Sequence, residues 1–166
     1  MPNWCAGNLR LRGSKEAIKK FLENELLFTV THGVLSSETL PAVVTEECGE
    51  LLVSRGDVEK GASFDCFYIK DTHRNFIDGT NFEVYVDDDD EHQTVCIDGF
   101  KAAWGVSPSP YVEKAKKHGV DIRIVGFEQG MQFMQIVEIV NGELVTNEEK
   151  NFDDWYWECP MPNMGG

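Results

Sequence analysis

The Asn141-Gly142 pair constrains this chain more than any other two residues. Asn-Gly reaches the left-handed backbone that a two-residue turn needs, so the segments on either side must fold back on each other as a hairpin. The segment before it alternates as a strand should. Met131, Phe133, Gln135, Val137 and Ile139 fall on one parity, and Met134, Ile136 and Val140 on the other. Leu144-Val145 resumes the strand after the turn. Upstream, Val120 to Phe127 alternates with Ile122, Ile124 and Gly126 on one face, and Glu128-Gln129-Gly130 turns it into the next strand. Strands joined by such short turns are antiparallel.

The opening shows a different period. Leu9 and Leu11 alternate with Asn8, Arg10 and Arg12, which predicts a half-buried strand from Cys5 to Leu11. Gly13-Ser14 ends it, and Ser14 is a good helix N-cap. Ala17, Ile18, Phe21, Leu22 and Leu26 then recur at three- and four-residue steps, an apolar helical stripe. A second short helix is predicted between Ser109-Pro110 and Gly119, with Lys114, Lys116 and Lys117 near its C-terminal end. Thr94 to Trp104 reads as a strand bulged at Gly99. Strand-like stretches also occur at Phe28–Val34, Leu51–Val53, Ser63–Lys70 and Phe82–Val86, with Pro41 as a breaker and Asp78-Gly79 as a turn. The order strand–helix, insertion, strand–helix–strand–strand–strand predicts an α+β fold. The expected form is a ferredoxin-like sandwich with a mostly antiparallel sheet, two helices on one face and a β-rich insertion at residues 28–92. All 166 residues are expected to form one domain.

Charge narrows the partners. The chain holds 29 Asp and Glu against 15 Lys and Arg, a formal net charge of −14. Direct nucleic-acid binding needs clustered cations, and an anionic membrane would repel this chain. No apolar run approaches the roughly 18 residues that cross a bilayer, and the first residues lack a signal peptide's pattern, so a cytoplasmic location is expected. Cys5, Cys48, Cys66, Cys96 and Cys159 are odd in number and widely spaced, which suits reduced thiols. The charge is also uneven. Residues 1–20 carry five cations against Glu16, whereas residues 121–166 carry Arg123 and Lys150 against nine carboxylates.

Glycine-rich phosphate loops and the common hydrolase and zinc-protease motifs are missing from the sequence. Two acidic segments stand out. Asp87, Asp88, Asp89, Asp90 and Glu91 form a run that suits a solvated hairpin tip, with His92 where a calcium loop needs glycine. The segment Phe152 to Glu158 sets Asp153 and Asp154 beside Trp155, Tyr156 and Trp157. Trp155 and Trp157 either cover one end of the core as a final strand or lid, or anchor a partner that the carboxylates select for basic character.

Pro2-Asn3-Trp4-Cys5, with Asn8, the alternating strand and Gly13 after it, resembles the start of the YubB-like or Api-like family of small phage and plasmid proteins. Phe100 to Pro110 is similar to that family's strand, tryptophan and proline-rich helix start. Glu128-Gln129-Gly130-Met131-Gln132-Phe133 is similar to its Glu-x-Gly-x-x-Phe hairpin. The resemblance implies a mobile-element accessory protein with a ferredoxin-like domain, and it brings no catalytic residue and no cofactor.

Three functional readings follow. The first is a non-enzymatic protein that binds a host protein with a basic surface, through Asp87–Glu91 and through Asp153, Asp154, Trp155 and Trp157. It would modulate a defence or nucleic-acid-handling factor. The second is a metal- or thiol-dependent enzyme built on residues 65–92, from Asp87, Asp89, Asp90 and His92 or from Cys66 and His73. The third is a self-assembling module, a homodimer through an open sheet edge.

Overall fold

The computed structural model describes residues 3–32, 36–56, 65–87, 90 and 92–166. Among them the chain forms twelve strands and three helices. The strands are β1 (Trp4–Gly13), β2 (Leu26–His32), β3 (Ser36–Pro41), β4 (Val43–Glu47), β5 (Glu50–Ser54), β6 (Cys66–Ile69), β7 (Asn75–Asp78), β8 (Asn81–Tyr85), β9 (Gln93–Ala103), β10 (Asp121–Glu128), β11 (Phe133–Val140) and β12 (Glu143–Asn151). The helices are α1 (Lys15–Glu25), α2 (Ser109–His118) and α3 (Trp155–Glu158).

Nine strands make one sheet in the order β12-β11-β10-β1-β9-β7-β6-β2-β3, and β4-β5-β8 make a second. Every strand pair recorded in both sheets is antiparallel. This corrects the expected ferredoxin-like sandwich: the protein is mostly β, not a two-helix α+β sandwich. The physical reason is width. Neighbouring strands lie about 4.8 Å apart, so nine of them span roughly 40 Å. Two packed helices, with axes about 10 Å apart, cover only about half of that. The middle third of the sequence supplies the additional strands. The β6–β7 hairpin pairs with β9 on one side and β2 on the other, and so separates strands that a smaller sheet would pair directly.

One face of the large sheet is covered. Its inward residues include Leu9 and Leu11 of β1, Ile97 and Phe100 of β9, Ile122 and Ile124 of β10, and Val137 and Ile139 of β11. Phe67, Ile69 and Ile77 continue the same cluster through β6 and β7. Helix α1 lays Ile18, Phe21 and Leu22 on this face, and α2 adds Tyr111 and Ala115. The small sheet adds Leu51, Val53 and Val84 to the cluster, and Phe67 meets Phe82 edge to face at 5.7 Å.

Local chemistry sets the ends of these elements. Ser14 Oγ accepts from Ala17 N at 3.3 Å and starts α1. Gly119, at φ 67°, closes α2 by donating its N–H to Ala115 O. The bulge expected at Gly99 is present: β1 pairs Gly7 with Phe100 and then Asn8 with Asp98, which leaves Gly99 at φ 75° without an opposite residue. Helix α2 begins one residue before its predicted start, with Pro108 as its N-cap and no side-chain cap. The predicted final strand or lid over Phe152–Glu158 is the short helix α3.

The two long helices meet at a buried ion cluster. Glu25, 1 % exposed, ends α1. Its Oε2 lies 3.2 Å from Lys114 Nζ, and its Oε1 lies 2.7 Å from both Lys117 Nζ and His118 Nε2. A carboxylate at a helix C-terminus opposes the helix dipole, and burial raises its pKa. The hydrogen bonds to His118 and Lys117 and the charge of Lys114 outweigh that burial and hold Glu25 at about 2, against 4.5 unperturbed.

A folded-state pKa below the unfolded value stabilises the fold above pH 4.5, and that contribution is lost as pH falls towards 2. The shift corresponds to about 3 kcal/mol. Glu25→Gln should cost about 3–5 kcal/mol in urea unfolding at neutral pH, because it leaves Lys114 buried without its carboxylate. The difference between wild type and variant should shrink as the pH is lowered through that window. A close approach gives a second test. A Cβ on Gly7 would stand 1.9 Å from Val125 O across the β1–β10 pair. Gly7→Ala should therefore lower stability by about 3 kcal/mol in the same assay.

Candidate functional site

The acidic aromatic segment is built where β12 ends. Phe152 N donates to Gln132 O at 2.8 Å, which turns the chain back over β10 and β11. Asp154 takes an extended backbone and its side chain accepts from Trp157 N at 3.3 Å, so it caps α3. A helix of one turn cannot point adjacent residues the same way, and here the split is sharp. Trp155 is 1 % exposed, whereas Tyr156 is 70 % and Trp157 87 % exposed.

Trp155 anchors the segment. It meets Phe152 edge to face at 5.6 Å and joins Phe127 and Cys159 in a second apolar cluster, separate from the main core. Its indole N–H donates to Pro162 O at 2.7 Å. This cluster covers part of the sheet face opposite the helices, because Phe127 alternates with the core-facing Ile122 and Ile124 along β10. Tyr156 is held from outside, its hydroxyl accepting from Gln129 Nε2 at 2.8 Å. Trp157 is left as a presented side chain on an anchored helix.

The surrounding charge is negative. Asp153, Asp154 and Glu158 are exposed around Trp157, and Glu148 and Glu149 lie on β12, whose residues are nearly all exposed. Among the described residues none of these five carboxylates forms an ion pair with a lysine or arginine. Lys150 is the local cation, its Nζ 4.8 Å from the centre of the Phe152 ring. Three of the five cations at the start of the chain are engaged elsewhere. Arg12 NH2 and Nε lie 2.5 and 2.8 Å from Asp121 Oδ2, and both Lys15 and Lys19 pair with Glu46.

The other acidic segment joins β8 to β9. Asp87 and Asp90 are exposed, and Asp88, Asp89 and Glu91 lie outside the described residues. Gln93 bridges the base of the loop, its Oε1 accepting from Asp87 N at 2.7 Å and its Nε2 donating to Asp87 O at 3.1 Å. Asp90 Oδ1 accepts from His92 N at 2.9 Å. Among the described residues no group of three or more His, Cys, Asp or Glu is placed to hold a metal ion.

Cys5 and Cys159 are buried, Cys66 is half-buried, and Cys48 and Cys96 are exposed. Cys66 is half-buried on β6 and His73 is exposed on the turn after it; no hydrogen bond between them is found among the described residues. Burial pushes the Cys66 thiol above its ordinary value, and Lys101 offsets part of that rise. Cys5 is pushed up to about 12 by burial and by the negative charges of Glu128 and Glu149. Both shifts favour the protonated thiol, which is the poor nucleophile. All five cysteines are free.

Two features escaped the sequence reading. Glu25 carried a signal, since it falls on the buried stripe of α1 seven residues after Ile18, where a carboxylate needs buried cations. Tyr68 and Phe76 are opposite each other in the β6–β7 hairpin, and Trp4 of β1 joins them on the open sheet face only because β7 pairs with β9, a contact no local spacing announces. Among the described residues no helix is long and apolar enough to cross a membrane. No protein-family model, no curated protein and no solved structure matches this chain.

The two tryptophans of α3 should separate cleanly. Trp155→Ala should cost about 3–5 kcal/mol in chemical denaturation, from lost packing and an orphaned Pro162 carbonyl. Trp157→Ala should stay within about 0.5 kcal/mol of wild type.

Proposed function

We propose that this protein is a non-catalytic binding protein whose acidic C-terminal surface docks on a basic protein. One observation carries the reading: Trp157 stands almost fully exposed on a helix that buried Trp155 holds in place. A large side chain presented on a rigid support loses little conformational freedom when a partner covers it. Tryptophan is also among the residues that most often dominate an interface. The carboxylates around it set the partner's sign. They have no cation of this chain to satisfy them among the described residues, so lysines and arginines of another protein complement them.

In the phage or plasmid setting that the opening motif implies, the partner is a host protein, and a basic host surface is typical of factors that handle nucleic acid. The homodimer reading needs an open sheet edge, and the large sheet ends in β12 on one side and β3 on the other. Glu143, Glu148 and Glu149 make the β12 edge acidic, which favours a basic partner over self-pairing there.

The test is retention of basic host proteins on the immobilised full chain at low and at high salt. Wild type should retain them at low salt and release them as the salt rises. Trp157→Ala should weaken retention roughly thirtyfold, as expected for an interface anchor worth about 2 kcal/mol. Asp153→Asn with Asp154→Asn should weaken it too, because Asn preserves the α3 cap while removing the charge. Salt-insensitive retention, or retention of acidic proteins only, would sink the reading.

A further inference from the structure

The open face of the large sheet holds a groove of about 420 Å³ that neither the core nor the acidic surface uses. Trp4, Tyr68 and Phe76 form its aromatic wall. Their neighbours along each strand, Cys5, Phe67 and Ile77, are buried on the other side, so the alternation of three strands turns these rings outward. Phe76 stands between the other two, its ring centre 5.9 Å from Trp4 and 5.7 Å from Tyr68. All three are half-buried, which leaves ring surface facing the groove.

Two cations stand at the Trp4 end. The Arg74 guanidinium carbon lies 5.5 Å and Lys101 Nζ 5.4 Å from the centre of the Trp4 ring. Lys101 is paired with Asp78. Arg74 is different: among the described residues it has no carboxylate partner, in a chain with 29 acidic residues. Its backbone is in the left-handed region at φ 57°, and its carbonyl accepts from Ala103 N at 3.2 Å, which pins the turn to the end of β9. A non-glycine residue adopts that conformation at a cost that the surrounding structure must offset. An arginine with no acid of its own is held over the Trp4 ring, and with Lys101 it places positive charge at this end of the groove.

Stacking surface and a free guanidinium select for two features in one ligand, a flat π system and an anionic group. The groove has the size of a small-molecule site. Rings accept any base face, and arginine takes phosphate through paired N–H donors. We infer that this groove binds a nucleoside monophosphate, with the base against Tyr68, Phe76 and Trp4 and the phosphate on Arg74 and Lys101. Thr29, also on the wall, supplies a hydroxyl for the sugar or base edge. This site is independent of the acidic surface around Trp157.

Isothermal titration of the full chain with adenosine monophosphate, adenosine and inorganic phosphate tests the inference. The monophosphate should bind one to one, and adenosine and phosphate should each bind at least about tenfold more weakly. Arg74→Asn tolerates the left-handed backbone. It should weaken the monophosphate roughly tenfold or more while leaving adenosine within about twofold and the melting temperature unchanged. Phe76→Leu should weaken both the monophosphate and adenosine. If that variant fails to fold, Arg74→Asn still decides. The inference is overturned if the monophosphate gives no binding heat, if phosphate alone binds as well, or if Arg74→Asn binds as wild type does. It is also overturned if a single-stranded oligonucleotide binds and the monophosphate does not.

Discussion

A nine-stranded antiparallel sheet is wider than two helices can cover, and most of this protein's architecture answers that one constraint. Helices α1 and α2 bury the inward face around β1, β9 and β10, and the β4-β5-β8 sheet adds a second cover that reaches Phe67 on β6. Among the described residues, the opposite face receives the C-terminal segment, through Phe127, Phe152, Trp155 and Cys159. Among the described residues, the surfaces left open include the groove lined by Trp4, Tyr68 and Phe76, the outer strand β12, and the exposed side of α3. Each proposed binding surface lies where the cover stops.

Charge is arranged by the same division. Where cations lie between covering elements they are matched. Glu25 takes Lys114, Lys117 and His118 between α1 and α2, and Glu46 of β4 takes Lys15 and Lys19 of α1. Arg12 closes on Asp121 across the β1–β10 pair. Three of the five cations at the start of the chain, Arg12, Lys15 and Lys19, are taken by these internal pairs and do not neutralise the acidic end. Residues 143–158, which hold β12 and α3, carry six carboxylates against Lys150, beside the presented Trp157, while Arg74 has no carboxylate partner among the described residues.

The legible parts of the fold were those where local chemistry and burial agree. Strand β1, helix α1, the bulge at Gly99, the Gly119 cap and the β10–β11 hairpin each show their period or cap within a few residues. Strand β12 was read only at Leu144-Val145, because a strand exposed on both faces has no alternation to show. Helix α3 is a single turn, too short for a helical period, and its residues Trp155, Tyr156 and Trp157 favour strands by propensity. At the acidic surface, composition pointed to Asp153, Asp154 and the tryptophans, but their division into buried Trp155 and exposed Trp157 depends on the Phe127–Phe152 cluster beneath.

The hairpin that Asn141-Gly142 predicts is present: β11 and β12 pair antiparallel through it, with Val140 opposite Glu143. Turns, caps and periods of this kind are determined by the sequence alone, because their energies come from residues a few positions apart. Strand order is not. The β6–β7 hairpin lies between β9 and β2, and it turned an expected ferredoxin-like sandwich into a wide, mostly β molecule, through hydrogen bonds that any exposed strand edge can make. Backbone pairing carries no side-chain code, so only the packing of the whole chain selects the partner of each edge. The same packing brings Trp4 of β1 to one groove with Tyr68, Arg74 and Phe76 of the β6–β7 hairpin, two regions far apart in the sequence.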